Sequence, residues 1–254
     1  MRAIVKALPD YNYIYLADTA RTPYGTRSKE QIYKFTRQAV DFLFTKDCEF
    51  IILACNTASS DALRKIQQEY LPKVYPEKRV LGVLIPAAEL AAERTKNKQV
   101  GVIATEATFN SKSFVRELGK LDPRIKVYQQ ACPLLVPLIE SGKHDSKATE
   151  SALKKYLTPL KQRKIDTLIL GCTHYGILRK KIKKILGPKI KVISEAEAVP
   201  QKLKIYLQKH KRMAGGLGKN GIIKFYSTDP SHDFQAFGSQ FFGKPVEAQK
   251  AKLG

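Results

Sequence analysis

The feature that most constrains the fold of this chain is the alternation of short apolar runs with longer segments of helical periodicity, sustained over nearly all of its length. This alternation is typical of parallel sheets whose strands are joined by helices. The runs are nearly continuous in hydrophobicity, as expected of strands covered on both faces. We therefore predict an α/β fold with mainly parallel sheets flanked by helices. The predicted strands cover residues 13–17, 50–54, 80–85, 100–104, 125–129, 167–170 and 190–193.

Two short blocks of the sequence resemble each other. Residues 51–57 read IILACNT, and residues 168–174, which lie 117 positions further on, read LILGCTH. In both, an apolar strand runs into a small residue, a cysteine and then polar residues that open a helix. The repeat predicts two similar lobes rather than one continuous sheet. Because ligands of open α/β sheets bind beyond the carboxyl ends of the strands, Cys55 and Cys172 are candidates for one shared site.

Two thiols in such turns suggest a specific chemistry. A cysteine at the start of a helix lies near free N–H groups, which lower its pKa. If two thiols face one cleft, one can remove a proton from a carbon atom while the other returns a proton to the opposite face, as racemisation requires. The neighbouring polar residues Asn56, Thr57, Thr173 and His174 can bind the charged groups of a small ligand. The alternative is a pair of buried structural cysteines, but their matched positions favour catalysis.

The charge of the chain is strongly positive and unevenly distributed. The net charge is +22, and residues 143–220 carry 20 Lys and Arg against 5 Asp and Glu. Such a field attracts nucleic acids and anionic small molecules alike. The lysines of residues 178–186 (LRKKIKKIL) alternate with apolar residues at helical spacing, which indicates the solvated face of an amphipathic helix. With no recognisable nucleic-acid motif, specific binding of nucleic acid is not predicted.

Several classes of protein are disfavoured by composition. The longest apolar stretch holds nine residues, 80–88, whereas a membrane-spanning helix needs about 20. Residues 1–7 lack the apolar core of a secretory signal. Four cysteines without a C-x-x-C pair argue against a disulfide framework and a zinc ribbon. We therefore predict a cytoplasmic protein with reduced thiols, no membrane span, no metal and no cofactor.

Five segments of the sequence form a recognisable set. In chain order they are DTARTPYGTRS (18–28), ACNTAS (54–59), GVIAT (101–105), QQACPLLVPLIE (129–140) and GCTHY (171–175). Taken together, they resemble bacterial glutamate racemases of the aspartate/glutamate racemase family. The similarity extends from about residue 2 to residue 246 and includes FYSTDPSHDF (225–234). Five blocks in the right order make this resemblance highly specific.

The resemblance implies cofactor-independent interconversion of L- and D-glutamate, which supplies D-glutamate for peptidoglycan. It makes Cys55 and Cys172 the acid/base thiols, with His174 assisting the second. It also implies two α/β lobes around a central cleft, formed by residues 1–96 with 195–254 and by residues 97–194. Dimers are common in the family, so a homodimer is a candidate assembly. The residues that match substrate-contacting positions of the family are Tyr24, Gly25, Asn56, Thr57, Thr105, Thr108, Thr173 and His174.

The sequence departs from the family pattern in three places. The family normally opens with a strand and an Asp-Ser-Gly loop that contacts substrate, whereas residues 2–8 here match the end of the following helix. On this resemblance we expect a first lobe without its N-terminal strand and reduced activity of the chain as written. Ser194 and Glu195 stand where Asp-Ser is usual, and Gly176 stands where proline is common. We expect neither of these two changes to touch the thiols directly.

Two other functions fit the same sequence. A racemase acting on aspartate or a related amino acid would share the mechanism. Aspartate-directed relatives tend to carry Glu where this chain has His174, which favours glutamate. A non-catalytic, racemase-like protein would instead use the basic region to bind an acidic protein or a nucleic acid.

Overall fold

The strands of the chain form parallel sheets in a computed structural model that describes the backbone of residues 1–254 and every side chain except those of His232 and Asp233. The sheets have the strand orders β1-β8-β9, β2-β3 and β5-β4-β6-β7, and each neighbouring pair is parallel. The predicted α/β class is thus confirmed. The strands are β1 (Tyr13–Ala17), β2 (Phe50–Leu53), β3 (Arg79–Gly82), β4 (Gln99–Ala104), β5 (Lys126–Ala131), β6 (Thr167–Gly171), β7 (Lys191–Ile193), β8 (Ile223–Ser227) and β9 (Ala248–Lys250).

Helices join the strands, and polar caps begin several of them. Ser28 forms a capping box with Gln31 at the start of α2, and the Ser146 side chain accepts from Thr149 N–H at the start of α10. The helices are α1 (Arg2–Ala7), α2 (Lys29–Phe44), α3 (Asn56–Asp61), α4 (Leu63–Lys65), α5 (Leu71–Val74), α6 (Leu84–Arg94), α7 (Glu106–Ser111), α8 (Ser113–Leu121), α9 (Leu135–Glu140), α10 (Lys147–Gln162), α11 (Arg179–Leu186), α12 (Glu195–Lys209), α13 (Lys211–Gly216) and α14 (His232–Phe242). Short 3₁₀ turns cover Thr19–Arg21, Tyr24–Thr26, Lys143–Asp145 and Thr173–Leu178, and a π turn covers Ile66–Tyr70.

The four-stranded sheet is buried on both faces. Every residue of β6 is buried, and its side chains alternate between two apolar clusters. Leu168 and Leu170 pack with α10 and α11, whereas Ile169 packs with residues of α6 and α8. Burial on both faces explains why the sequence of this strand shows no polar alternation.

The other strands form two separate short sheets around a large cavity. β1 pairs with β8, and β2 pairs with β3. Among the described residues, neither β1 nor β2 pairs along its second edge. Residues of both strands line one cavity of about 2020 Å³, together with residues of α2 and α12. The same cavity extends to the carboxyl ends of β2 and β6, where the two cysteine turns lie.

The predicted strand at 80–85 is wrong in its second half. β3 ends at Gly82, and Leu84 and Ile85 already belong to α6. Pro86 lies in the first turn of that helix. N–H groups of the first turn have no acceptor within the helix, so the missing N–H of proline costs no hydrogen bond there. A buried helix start and a buried strand are both apolar over a few residues, so hydrophobicity alone did not separate them.

The lysine-rich helix α11 is amphipathic, as predicted. Ile182 and Leu186 of α11 are buried, whereas Lys180, Lys183 and Lys184 are exposed. Part of the positive charge is therefore the solvated face of an ordinary amphipathic helix. No helix in the described part of the chain combines the length and the apolarity that crossing a membrane requires.

Candidate active site

Cys55 and Cys172 occupy equivalent places in the fold. Cys55 caps the N-terminus of α3 just beyond β2, and Cys172 caps the 3₁₀ turn Thr173–Leu178 just beyond β6. Both line the same cavity. The structure therefore brings the two sequence-predicted thiols to one pocket, each at the carboxyl end of a parallel strand.

The expectation of lowered thiol pKa values is wrong for both cysteines. Burial raises the pKa of Cys55 above its usual value, although the N–H groups of Thr57 and Ala58 oppose the shift. Burial likewise raises the pKa of Cys172 well above its usual value, against the N–H groups of His174 and Tyr175. The helix-start N–H groups are present as predicted, but removal of the thiols from water has the larger effect. A thiolate at Cys55 raises the pKa of Cys172 further, which favours one ionised thiol at a time.

His174 links Cys172 to a carboxylate. Its Nδ1 lies 3.7 Å from the Cys172 Sγ, and its Nε2 lies 3.2 Å from Oε1 of Glu140, the last residue of α9. When Nε2–H donates to Glu140, Nδ1 becomes a free acceptor for the proton of the thiol. The arrangement can therefore take a proton from Cys172 and hold the imidazole in the tautomer that this transfer needs.

Three threonine hydroxyls connect the turn after β2 to the turn after β4. The Thr57 Oγ1 lies 3.0 Å from the Thr105 Oγ1 and 3.4 Å from the Thr108 Oγ1. The Thr105 hydroxyl caps α7 and donates to Thr108 over 3.1 Å. Thr57 and Thr105 line the cavity, whereas Thr108 is fully buried behind them. The structure thus places Thr108 as a support for Thr105 and not in the cavity wall.

The turn that holds Tyr24 and Gly25 packs directly on the start of α7. A Cβ atom on Gly25 would lie 2.8 Å from the Thr105 Cβ, so only glycine permits this approach. The Tyr24 hydroxyl donates to the carboxylate of Asp18, which also pairs with Arg21 at 2.8 Å. Burial and this hydrogen bond raise the pKa of Tyr24, so the phenol stays protonated. Both Tyr24 and Gly25 line the cavity.

A buried carboxylate lies beside Asn56. Glu195 is the first residue of α12, and its Oε1 accepts a hydrogen bond from Asn56 Nδ2. Burial raises the pKa of Glu195 to about 7, although the hydrogen bond from Asn56 opposes the shift. The charge of Glu195 in turn raises the pKa of Cys55 and of Cys172. Glu195 thus acts on both thiols through its charge, and no hydrogen bond joins it to either sulfur among the described residues.

Sequence reasoning missed the three carboxylates that bond to predicted site residues of this cavity. Asp18 and Glu195 follow the ends of β1 and β7, so the rule that found the cysteines also applies to them. Glu140 ends a helix, and no local pattern marks it. Thr173 and His174 line the cavity as predicted. Among the described residues, no group of three or more His, Cys, Asp or Glu side chains is arranged to hold a metal ion.

A parallel α/β fold that presents two cysteines of matched position to one pocket is the arrangement expected of amino-acid racemases. The family model of Asp/Glu/Hydantoin racemases matches residues 1–203. The chain belongs to this family, and its similar relatives within the family are glutamate racemases.

Two relatives illustrate the similarity in sequence. Glutamate racemase 2 of Caldanaerobacter subterraneus subsp. tengcongensis is 36% identical over 247 residues, which cover 97% of this chain and 89% of the relative. The glutamate racemase of Persephonella marina is 38% identical over 253 residues, which cover 99% of this chain and 92% of the relative. The predicted resemblance and the isomerase class are thus confirmed.

Two solved structures show the same similarity in the fold. A glutamate racemase from Bacillus anthracis superposes with a TM-score of 0.90 at 34% identity, covering 99% of this chain and 91% of that one. The glutamate racemase of Francisella tularensis, solved in complex with D-glutamate, superposes with a TM-score of 0.88 at 34% identity, covering 99% and 92%.

Proposed function

We propose that this chain interconverts L- and D-glutamate by proton transfer between Cys55 and Cys172, without a cofactor, and so supplies D-glutamate for peptidoglycan. The observation that carries the proposal is the convergence of both thiols on one cavity from two equivalent strand ends. One thiolate removes the α-proton, and the opposing thiol donates its proton to the other face of the carbanion. Exchange of the two roles runs the reaction in reverse.

The polar residues of the cavity suit an amino acid with two carboxylates. The hydroxyls of Thr57 and Thr105 can donate to a carboxylate, while the amide oxygen of Asn56 can accept from the ammonium group. His174, oriented by Glu140, takes the proton of Cys172 when that thiol acts as the base. The proposed substrate-binding residues are Tyr24, Gly25, Asn56, Thr57, Thr105, Thr173 and His174, with Thr108 behind Thr105.

The proposal includes the predicted division into two lobes, residues 1–96 with 195–254 and residues 97–194. The four-stranded sheet falls entirely within the second range, and the other two sheets fall within the first. We also propose that the protein acts in the cytoplasm on its small-molecule substrate. Because dimers are common in the family, light scattering on the purified chain is expected to give twice the mass of one chain.

Proton exchange with solvent tests the two-thiol mechanism. In D₂O, the chain should incorporate deuterium at the α-carbon of L- and of D-glutamate, followed by mass spectrometry or NMR. Cys55→Ser and Cys172→Ser should each lower racemisation by about 10²- to 10⁴-fold, the usual contribution of a positioned acid or base. Cys48→Ser is the matched control, since Cys48 lines the same cavity in a position away from the cysteine turns, and it should retain turnover.

Three outcomes would contradict the proposal. Wild-type exchange in either active-site variant would exclude the two-thiol mechanism. Faster turnover of aspartate than of glutamate would assign a different substrate. Absence of turnover with either amino acid, combined with salt-dependent binding to DNA, would favour the non-catalytic alternative.

A further inference from the structure

We infer that Glu195 is a positioning residue that determines which atom of Asn56 faces the substrate, and that protonation of Glu195 weakens the binding of the substrate ammonium group. This inference rests on the proposed function, since it concerns the same cavity. It assigns a role to a residue that the racemisation mechanism itself does not use.

The first support is the geometry of the Asn56 side chain. Asn56 is 2% exposed and Glu195 is 7% exposed, and both line the cavity. Nδ2 of Asn56 donates to Glu195, and Oδ1 has no hydrogen-bond partner among the described residues. A buried acceptor without a partner is unfavourable by about 1–3 kcal/mol, so it indicates a donor supplied by a ligand. An ammonium group is such a donor.

The second support is the electrostatic isolation of Glu195. No ion pair to it occurs among the side chains that the structure describes. Glu195 itself acts on the thiols Cys55 and Cys172, since its charge raises the pKa of both. On its own helix, Glu197 pairs with Arg94 and Arg179 instead.

Neighbouring elements add no hydrogen bond to this carboxyl group. The acidic residues of α6, Glu89 and Glu93, pair with Lys202. Met1 and Arg2, at the start of α1, also line the cavity. Among the described hydrogen bonds, neither the amino group of Met1 nor the side chain of Arg2 bonds to Glu195. Asn56 is therefore its one side-chain hydrogen-bond partner among the described residues.

The two protonation states of Glu195 favour different orientations of the Asn56 amide, because only the protonated carboxyl group has a proton to donate. An ionised carboxylate can only accept, so it binds Nδ2 and leaves Oδ1 free to accept from a ligand. A protonated carboxyl group can donate to Oδ1, after which the amide presents its NH₂ group instead. An NH₂ group cannot accept from an ammonium ion. Because burial raises the pKa of Glu195 to about 7, both states are populated near neutral pH.

The pH dependence of KM tests the inference by kinetics. As the pH falls below about 7, KM for glutamate should rise by up to about tenfold per pH unit, since the binding-competent fraction falls in that proportion. Glu195→Gln cannot titrate, so its KM should be flat over the same range. Glu106→Gln neutralises an exposed carboxylate on the same cavity wall and should keep the inflection. An inflection of KM that persists in Glu195→Gln, or one confined to kcat, would overturn the inference.

A measurement without substrate separates this inference from the proposed function. The side-chain amide resonances of Asn56, observed by ¹⁵N–¹H NMR on the full chain, should titrate with a midpoint near 7 and should not titrate in Glu195→Gln. If they titrate while glutamate is not turned over, the Glu195–Asn56 pair stands and the proposed function fails. If glutamate is racemised while these resonances are insensitive to pH, the inference fails and the proposed function stands.

Discussion

Burial of the two thiols determines how the site must be activated. Both pKa values lie above the ordinary value of a cysteine because the sulfur atoms are removed from water. At neutral pH the empty site therefore holds two neutral thiols, and a base must generate the thiolate. His174 offers such a base to Cys172, whereas the described hydrogen-bond donors to Cys55 are the N–H groups of Thr57 and Ala58 and the Thr57 hydroxyl. The two halves of a nearly symmetric reaction thus differ in their local chemistry.

The pH–rate profile should report the raised thiol pKa values. Because the thiolate is the reactive base and its pKa is raised, kcat/KM should keep rising with pH beyond about 8.5, the ordinary pKa of a cysteine. Initial rates of racemisation measured by circular dichroism would give this profile. The alkaline rise should remain in Glu195→Gln, in which any titration of Glu195 is removed. A plateau reached well below the ordinary thiol pKa would show that the cysteines are activated in the free protein.

The catalytic pair could be predicted from the sequence because its signal is local. A strand, a small residue, a cysteine and a helix start follow one another within seven residues, and they do so twice. The sign of the thiol pKa shifts could not be predicted, because desolvation depends on how the whole cavity closes around the sulfur. The Asn56–Glu195 contact joins residues 139 positions apart, and no local pattern encodes such a pair.

At the scale of elements, Asp166 stabilises the connection between α6 and β4 by hydrogen bonds. Its carboxylate accepts from the Thr95 hydroxyl at 2.7 Å, from Lys96 N–H at 2.6 Å and from Asn97 N–H at 2.8 Å. Partial burial raises the pKa of Asp166, but the hydrogen bonds, chiefly from Asn97 N–H, outweigh it and lower the pKa overall. This connection sets where the chain enters the four-stranded sheet.

Asp166→Asn should therefore destabilise the fold. The amide loses acceptor capacity for several donors at once, and the expected loss is about 1–2 kcal/mol in the free energy of unfolding. Since the folded-state pKa is lowered, this stabilisation exists above the unfolded pKa of about 3.9 and disappears as the pH falls through the folded value. Urea denaturation at neutral and acidic pH measures both effects. Asp145→Asn removes only exposed contacts, with Lys181 and His144, so its midpoint should match that of the unmodified chain.

Element boundaries were predictable where hydrophobic runs ended at polar residues, and less so elsewhere. The predicted strand 13–17 matches β1, and that at 167–170 falls one residue short of β6. The transition from β3 to α6 was missed because a buried apolar helix start continues the apolar run of the strand. The helical stretch after β2 is divided into α3, α4 and a π turn, and this division depends on packing and not on composition.

At the scale of the whole molecule, the sheets differ in how completely their backbones are paired. β4 and β6 each have a neighbour on both sides, whereas β1 and β2 each have one within the described part of the chain. Backbone N–H groups of a strand alternate between its two edges. In β1, Tyr13 N–H bonds to Ile222 beside β8, so the N–H groups of Ile14 and Leu16 face the cavity. The backbone N–H groups of Phe50 and Ile52 in β2 likewise face the cavity.

Amide hydrogen exchange should reveal this difference. The N–H groups of Ile14, Leu16, Phe50 and Ile52 should exchange much faster than that of Val102 in β4, because they lack a strand partner. NMR-detected exchange on the full chain gives the comparison residue by residue. The N–H of Tyr15, which faces β8 in the register of β1, is an internal control and should exchange more slowly than its two neighbours. Equal protection along β1 and β4 would show that the free edges are covered in solution.

The hydroxyl contact between Thr57 and Thr105 has a mechanical consequence. It joins the turn after β2, which holds Cys55, to the turn after β4, so these turns can move apart only if the two oxygens, 3.0 Å apart, separate. A neutral contact of this kind contributes only about 0.5–1.5 kcal/mol, which thermal motion overcomes easily. The two turns are thus held together by a weak hydrogen bond. A carboxylate that binds both hydroxyls would replace this bond.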